Sequence, residues 1–122
     1  MDQSASSVNP EDFLPLGTAV FHILIALASQ DRHGYSIMRD VAERTEGRLK
    51  LSPGTLYGAI RRLLEGGVIV ELEARPDPAH DDERRRYYRL TSLGHAVASA
   101  ESARLARLLG QARDCGLVPE GG

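Results

Sequence analysis

Between Lys50 and Arg62 the sequence places residue types that read nucleic acid at the spacing of one helix: Ser52, Gly54, Thr55, Tyr57, Arg61 and Arg62. Arginine forks reach phosphate oxygens or base edges, and hydroxyls add further donors. A glycine at a helix start removes the side chain that would hold a phosphate away from free backbone N–H groups. A second basic cluster, Arg84, Arg85 and Arg86 with Arg89 beyond, surrounds Tyr87 and Tyr88. Phosphate contact suits it as well. The acids just before it, Asp77, Asp81, Asp82 and Glu83, oppose that contact and offer the arginines closer partners. Tyr35 and Lys50 complete the set of candidate DNA contacts.

Other chemistry finds little support. Cys115 is the only cysteine, and His22, His33 and His95 are scattered along the chain. His80 with Asp77, Asp81 and Asp82 lacks a second histidine, so no metal site is expected. No glycine-rich phosphate loop follows a strand, and no serine or cysteine sits in a nucleophile motif. The expectation is a protein without catalytic residues, metal or cofactor, and not an enzyme.

Three helices, a hairpin and a long helix must position the basic residues. The first helix is read from Glu11 or Leu16 to about Ser29 and is apolar nearly all round, which demands cover on most sides. A turn from Gln30 to Gly34 leads to a second helix with Ile37, Met38, Val41 and Ala42 inward and Arg39, Asp40, Glu43 and Arg44 in water. The third helix has the clearest limits. Ser52 suits the N-cap, Pro53 the first helical position, and Gly66-Gly67 the stop. Leu56, Ala59, Ile60, Leu63 and Leu64 form its buried stripe, leaving Thr55, Tyr57, Gly58, Arg61 and Arg62 outward.

Val68, Val70 and Leu72 then alternate with Ile69, Glu71 and Glu73 as in a half-buried strand. Arg75 to Glu83, with Pro76 and Pro78, reads as a loop, and Arg84 to Leu90 as the returning strand, with one of Tyr87 and Tyr88 in the core. Thr91 caps a final helix from Ser92 to about Cys115. The fold is therefore mainly α with a small β-hairpin, a winged helix-turn-helix over residues 11–91 plus a long C-terminal dimerisation helix over 92–115. Residues 1–10 and 116–122 read as a disordered and a frayed tail.

At 122 residues and 13.3 kDa the chain has room for one domain. Its net charge of −2 excludes a histone-like coat for any polyanion, yet the stretch from Arg32 to Arg62 carries seven basic and three acidic residues. That local excess is what one face of DNA would meet. A single cysteine and no leader-like or membrane-spanning run point to a reducing, cytoplasmic setting.

The run Leu51-Ser52-Pro53-Gly54-Thr55-Leu56-Tyr57, followed after the wing by Arg85-Arg86-Tyr87-Tyr88-Arg89-Leu90-Thr91 and Gly94, resembles the PadR family of transcriptional regulators, in its short branch with one helix after the wing. The His33-Gly34-Tyr35 turn and the step from Leu64 to Ile69 extend the likeness to about residues 16–109. The resemblance implies a homodimeric, ligand-responsive repressor on a palindromic operator, joined through the first and last helices. The apolar excess of both helices agrees, and the expected dimer contacts are Phe21, Leu24, Leu93, Val97, Ala100, Leu105, Leu108 and Leu109. A small apolar effector would lie between the first helix and the last helix of the partner subunit, near Phe13, Phe21 and Val97. Two other readings compete: a winged helix that binds protein instead of an operator, and a MarR-like regulator, for which the chain is short.

Overall fold

A computed structural model describes residues 8–77 and 80–119; for 75–77 and 80–84 it describes the backbone alone. Of the two expected tails, residues 1–7 and 120–122 lie outside the described residues.

The chain opens on a 3-10 turn, Pro10–Phe13, capped by the Asn9 side chain. The first helix starts later than Glu11 or Leu16: α1 is Thr18–Ser29. Leu14 precedes Pro15 and is held extended, because the proline ring crowds the residue before it. β1 (Arg32–His33) follows, then α2 (Gly34–Arg44) and α3 (Pro53–Glu65). β2 (Ile69–Glu71), β3 (Arg75–Asp77), β4 (His80–Arg85) and β5 (Tyr87–Leu90) make the wing, and α4 (Ser92–Asp114) ends the fold. The Ser52 hydroxyl accepts the Thr55 N–H at 3.1 Å to cap α3, and the Thr91 hydroxyl accepts the Gly94 N–H at 3.0 Å to cap α4. No helix among the described residues is long and apolar enough to cross a membrane.

The sheet has three strands where a simple hairpin was expected. Its order is β1-β5-β2, all antiparallel, with Arg32 opposite Tyr88 and Ile69 opposite Leu90. Arg32 and His33 thus form a short edge strand instead of a plain turn, since β5 has a second free edge that only they reach. The expected loop from Arg75 to Glu83 contains β3 and β4, a separate two-stranded ribbon. Pro76 is tolerated there because each strand of a two-stranded ribbon has one unpaired edge, where a missing N–H costs no ladder bond. The alternation over Val68 to Glu73 also differs. Val68 and Ile69 are both buried while Val70 is 42% exposed, because Val68 still belongs to the turn, its N–H bonded to Leu63 O at 2.9 Å.

The core gathers Ile23, Leu24 and Leu27 of α1, Ile37 and Val41 of α2, Leu56 and Ile60 of α3, Ile69, Tyr88 and Leu90 of the sheet, and Val97 of α4. α1 is the central element, packed by α2, β5 and α4. Its apolar composition is thereby met largely within one chain and does not by itself require a second copy. Tyr88 is the buried tyrosine of its pair; burial, with the Glu71 carboxylate adding to it, pushes its hydroxyl pKa up. Asp40 is not a water-facing residue either, since it accepts from Arg32 at 3.1 Å and from Arg44 at 2.7 Å.

Candidate nucleic-acid interface

The start of α3 is held from both sides, Leu51 and Leu56 buried in the core and Ser52 locked in its cap. That anchoring turns Gly54 outward, and a Cβ built there would meet nothing within 4 Å. The backbone of the first turn is therefore open to an anion, as the macrodipole favours. The Ser52 hydroxyl donates its proton to Thr55 Oγ1 at 3.1 Å. Both hydroxyls lie on the exposed start of α3.

One turn along, Tyr57 both packs against the fold and faces outward. Its ring lies across Gly34 at the start of α2, so close that a Cβ there would meet Tyr57 Oη and come within 2.8 Å of Cζ. Only glycine lets the two helices dock this way. The tyrosine nonetheless remains 48% exposed. His33, Gly34, Tyr57, Arg85, Arg86 and Tyr88 line a cleft of about 170 Å³ between α2, α3 and the wing. Tyr35 stands beside it, exposed, with the guanidinium groups of Arg39 at 5.5 Å and Arg85 at 5.8 Å from its ring centre.

Lys50, Arg61 and Arg62 complete the exposed face. Among the described residues none of the three makes an ion pair. Arg62 folds back along α3, its Nη1 lying 3.8 Å from where a Cβ on Gly58 would stand. The wing arginines are placed differently. Arg86 is 3.4 Å from Glu71, and Arg89 binds Asp31 through two bonds of 3.0 and 2.8 Å that raise its pKa. These carboxylates are not those of the wing tip. The Arg84 side chain lies outside the described residues.

Two residues with defined structural work were passed over as candidates. His33 is buried and accepts the Ser36 N–H on Nδ1 at 3.1 Å, capping α2, with its ring stacked on Tyr35 and edge-on to Tyr87. Glu101 is only 2% exposed, and its carboxylate takes the Leu16 N–H at 3.1 Å and both arms of Arg104 at 2.6 and 3.0 Å. The Arg104 bonds hold its pKa below the ordinary value, against the opposing effect of burial, with the Leu16 N–H helping. Its position was legible: Leu93, Val97 and Glu101 follow at four-residue steps on one helix line.

The residues expected at a dimer contact divide. Leu24 and Val97 are fully buried in the chain's own core and cannot reach a partner, because α1 and α4 pack against each other there. Leu93, Ala100 and Phe21 are half-buried, and Leu105, Leu108 and Leu109 are exposed, Leu108 by 52%. Of the expected effector contacts, Val97 is excluded by the same burial. Phe13 packs on Gly66 at the end of α3 and is not among the residues that line the gap beside Phe21. That gap, between α1 and α4, is a cavity of about 240 Å³ that Phe21 lines with Leu16, Glu101, Arg104 and Leu105.

Comparison with known proteins places this geometry. The model of the transcriptional regulator PadR-like family matches residues 23–100. An uncharacterised protein of Lysinibacillus sphaericus is 38% identical over 77 residues, 63% of this chain and 68% of that one. A PadR family transcription regulator from hypervirulent Clostridium difficile superposes with a TM-score of 0.67 at 22% identity, over 80% of this chain and 97% of its own. A transcriptional regulator from Clostridium thermocellum gives a TM-score of 0.65 at 24% identity, over 78% and 89% of the two chains. The structural likenesses speak for the fold, and the family model spans all of the elements that build the α3 face, so this chain belongs to the PadR-like family of transcriptional regulators.

Proposed function

We propose that the protein is a homodimeric repressor that reads a palindromic operator with α3 and releases it when a small apolar effector binds. The observation that carries this reading is the outward face of α3: an open helix start at Gly54, the Thr55 and Tyr57 hydroxyls, and Arg61 and Arg62 with no carboxylate partner among the described residues. Such a helix enters the major groove by its N-terminal half. Lys50 and Tyr35 flank it, and Arg85 and Arg86 reach the neighbouring backbone from the wing.

The partner subunit covers the exposed Leu105, Leu108 and Leu109, with Phe21, Leu93 and Ala100 at the edge of the contact. The effector occupies the gap between α1 and α4 beside Phe21. Fluorescence anisotropy with the DNA upstream of the gene tests the reading. The apparent affinity should fall with salt, by about 0.9 in log–log slope for each phosphate contact. A flat salt response would favour the protein-binding alternative, to which the pairing of Arg86 and Arg89 with carboxylates lends some support. Replacing Leu105 and Leu108 by glutamate should yield a folded monomer that binds the operator poorly, as ultracentrifugation and anisotropy together would read; unchanged sedimentation refutes the contact.

A further inference from the structure

A larger cavity, of about 430 Å³, adjoins the gap beside Phe21, sharing Thr18 and His22 with it, and opens between the start of α1 and the loop that joins α2 to α3. Thr18 and His22 line it from α1; Arg44, Glu46, Arg48 and Leu49 line it from the loop side. No residue of α3 does, so among the described residues the cavity is separate from the DNA-reading face.

Its charge is unbalanced. Arg44 donates Nε to Asp40 at 2.7 Å, but Asp40 also accepts from Arg32 at 3.1 Å, so two guanidinium groups share one carboxylate. Arg48 makes no ion pair among the described residues, and Glu46 is the one carboxylate on the wall. Positive charge is left over, and the terminal nitrogens of Arg44, on a side chain 46% exposed, remain open to a ligand. Leu49 supplies an apolar wall and Thr18 a hydroxyl. α1 also begins at Gly17 without a side-chain cap and without an acid in its first turn.

The wall is built before any ligand arrives. Glu46 at φ 54° and Gly47 at φ 80° form consecutive left-handed positions, of which the first is unusual for a residue with a side chain. Gly47 N–H reaches Ala42 O at 2.7 Å, and the Thr45 hydroxyl donates to Val41 O at 2.9 Å while accepting the Leu49 N–H at 3.0 Å. Leu49 is followed closely by buried Leu51 and by Ser52, the cap of α3. A ligand that shifts this loop shifts the start of the recognition helix.

We propose that this cavity binds a small phosphate monoester, held by Arg48 and Arg44, and that its occupancy alters operator affinity through the α2–α3 loop. Two guanidinium groups and a hydroxyl lining one cavity offer more donors than a carboxylate can use, which suits a dianionic group with several acceptor oxygens. The regulatory half of the proposal rests on the operator reading above; the binding half does not. Regulation requires unequal affinity of the ligand for the DNA-bound and free forms, and the effect must be reciprocal.

The test is a ¹H–¹⁵N NMR titration of the full chain with inorganic phosphate and with glycerol 3-phosphate at constant ionic strength, acetate serving as the carboxylate control. Saturable shifts confined to the amides of residues 17–22 and 44–49 are expected, with phosphate at least tenfold tighter than acetate. Arg48→Gln, checked for an unchanged melting curve, should weaken phosphate binding at least tenfold. Equal binding of acetate, shifts spread over all arginines, or the same titration in Arg48→Gln would overturn the site. If Arg48 serves the DNA backbone instead, Arg48→Gln will reduce the salt slope of DNA binding by about one while phosphate leaves the wild-type spectrum unmoved, which also overturns it. Loss of the operator reading alone would leave the NMR result standing. Glycerol 3-phosphate at saturation should then change operator affinity severalfold in wild type and not in Arg48→Gln; an unchanged wild-type affinity overturns the regulatory half.

Discussion

Arg61 and Arg62 on α3 and Arg89 and Arg104 outside it are the same side chain in opposite employment. The first two project from an exposed helix face and make no ion pair among the described residues. Arg89 spans from β5 to Asp31 behind α1, and Arg104 grips Glu101, which in turn holds the Leu16 N–H just ahead of α1. Charge spent on a fixed carboxylate joins elements of the fold, and charge left unspent is available to a polyanion. On the proposed reading, the DNA face of a chain with net charge −2 would be marked by the unpaired cations of α3 and not by where arginines are densest in the sequence.

The largest effect expected from this contrast is on DNA affinity. Arg61→Ala with Arg62→Ala should weaken operator binding about 100-fold, taking roughly 1–3 kcal/mol for each lost contact, and should reduce the salt slope. The melting temperature should hold, since exposed substitutions usually stay within about 0.5 kcal/mol. Unchanged affinity would break the contrast at its strongest point.

Glu101→Ala should do the reverse, lowering stability by roughly 1 kcal/mol by leaving the part-buried Leu16 N–H without its acceptor, with intrinsic DNA contacts intact. The pH dependence has a definite sign. Glu101 has a folded pKa below its ordinary value of about 4.5, so its stabilisation is full above that value and disappears as the pH falls through the depressed one. Urea melts at descending pH should show wild type losing more stability over this acid range than Glu101→Ala. Parallel losses would show that the buried carboxylate contributes nothing through its ionisation.

The finest distinction lies within the wing. Arg86 is 72% exposed and 3.4 Å from Glu71, a pair loose enough to open towards a phosphate, whereas the Arg89 to Asp31 pair is short and bidentate. Arg86→Ala should reduce the salt slope of DNA binding modestly without altering the melt. Arg89→Ala should leave the slope alone and lower the melting temperature slightly, and Asp31→Ala should match it. The opposite pattern would exchange the roles assigned to these two arginines.

Much of this was legible in the chain. The Ser52 cap, the Gly66-Gly67 stop, the Thr91 cap and the outward set Thr55, Tyr57, Arg61 and Arg62 follow from contacts within a turn or two of helix, where the 3.6-residue period decides direction. The motifs Leu51 to Tyr57 and Arg85 to Thr91 together carried the family likeness. Less was legible where partners are distant. β1 is a strand only because β5 offers it an edge, and Arg89 meets Asp31 from 58 residues away. Leu24 and Val97 look like any other members of an apolar stripe until α1 and α4 close on each other.

The sequence by itself determined the caps that open α3 and α4, the stop of α3 and which side of α3 faces out, because caps and periodicity act between neighbours along the chain. Only the tertiary structure decided which charges are spent and that Tyr57 lies across Gly34. Those outcomes depend on which side chains the folded elements bring within about 4 Å of one another, and short-range propensity carries no record of that distance.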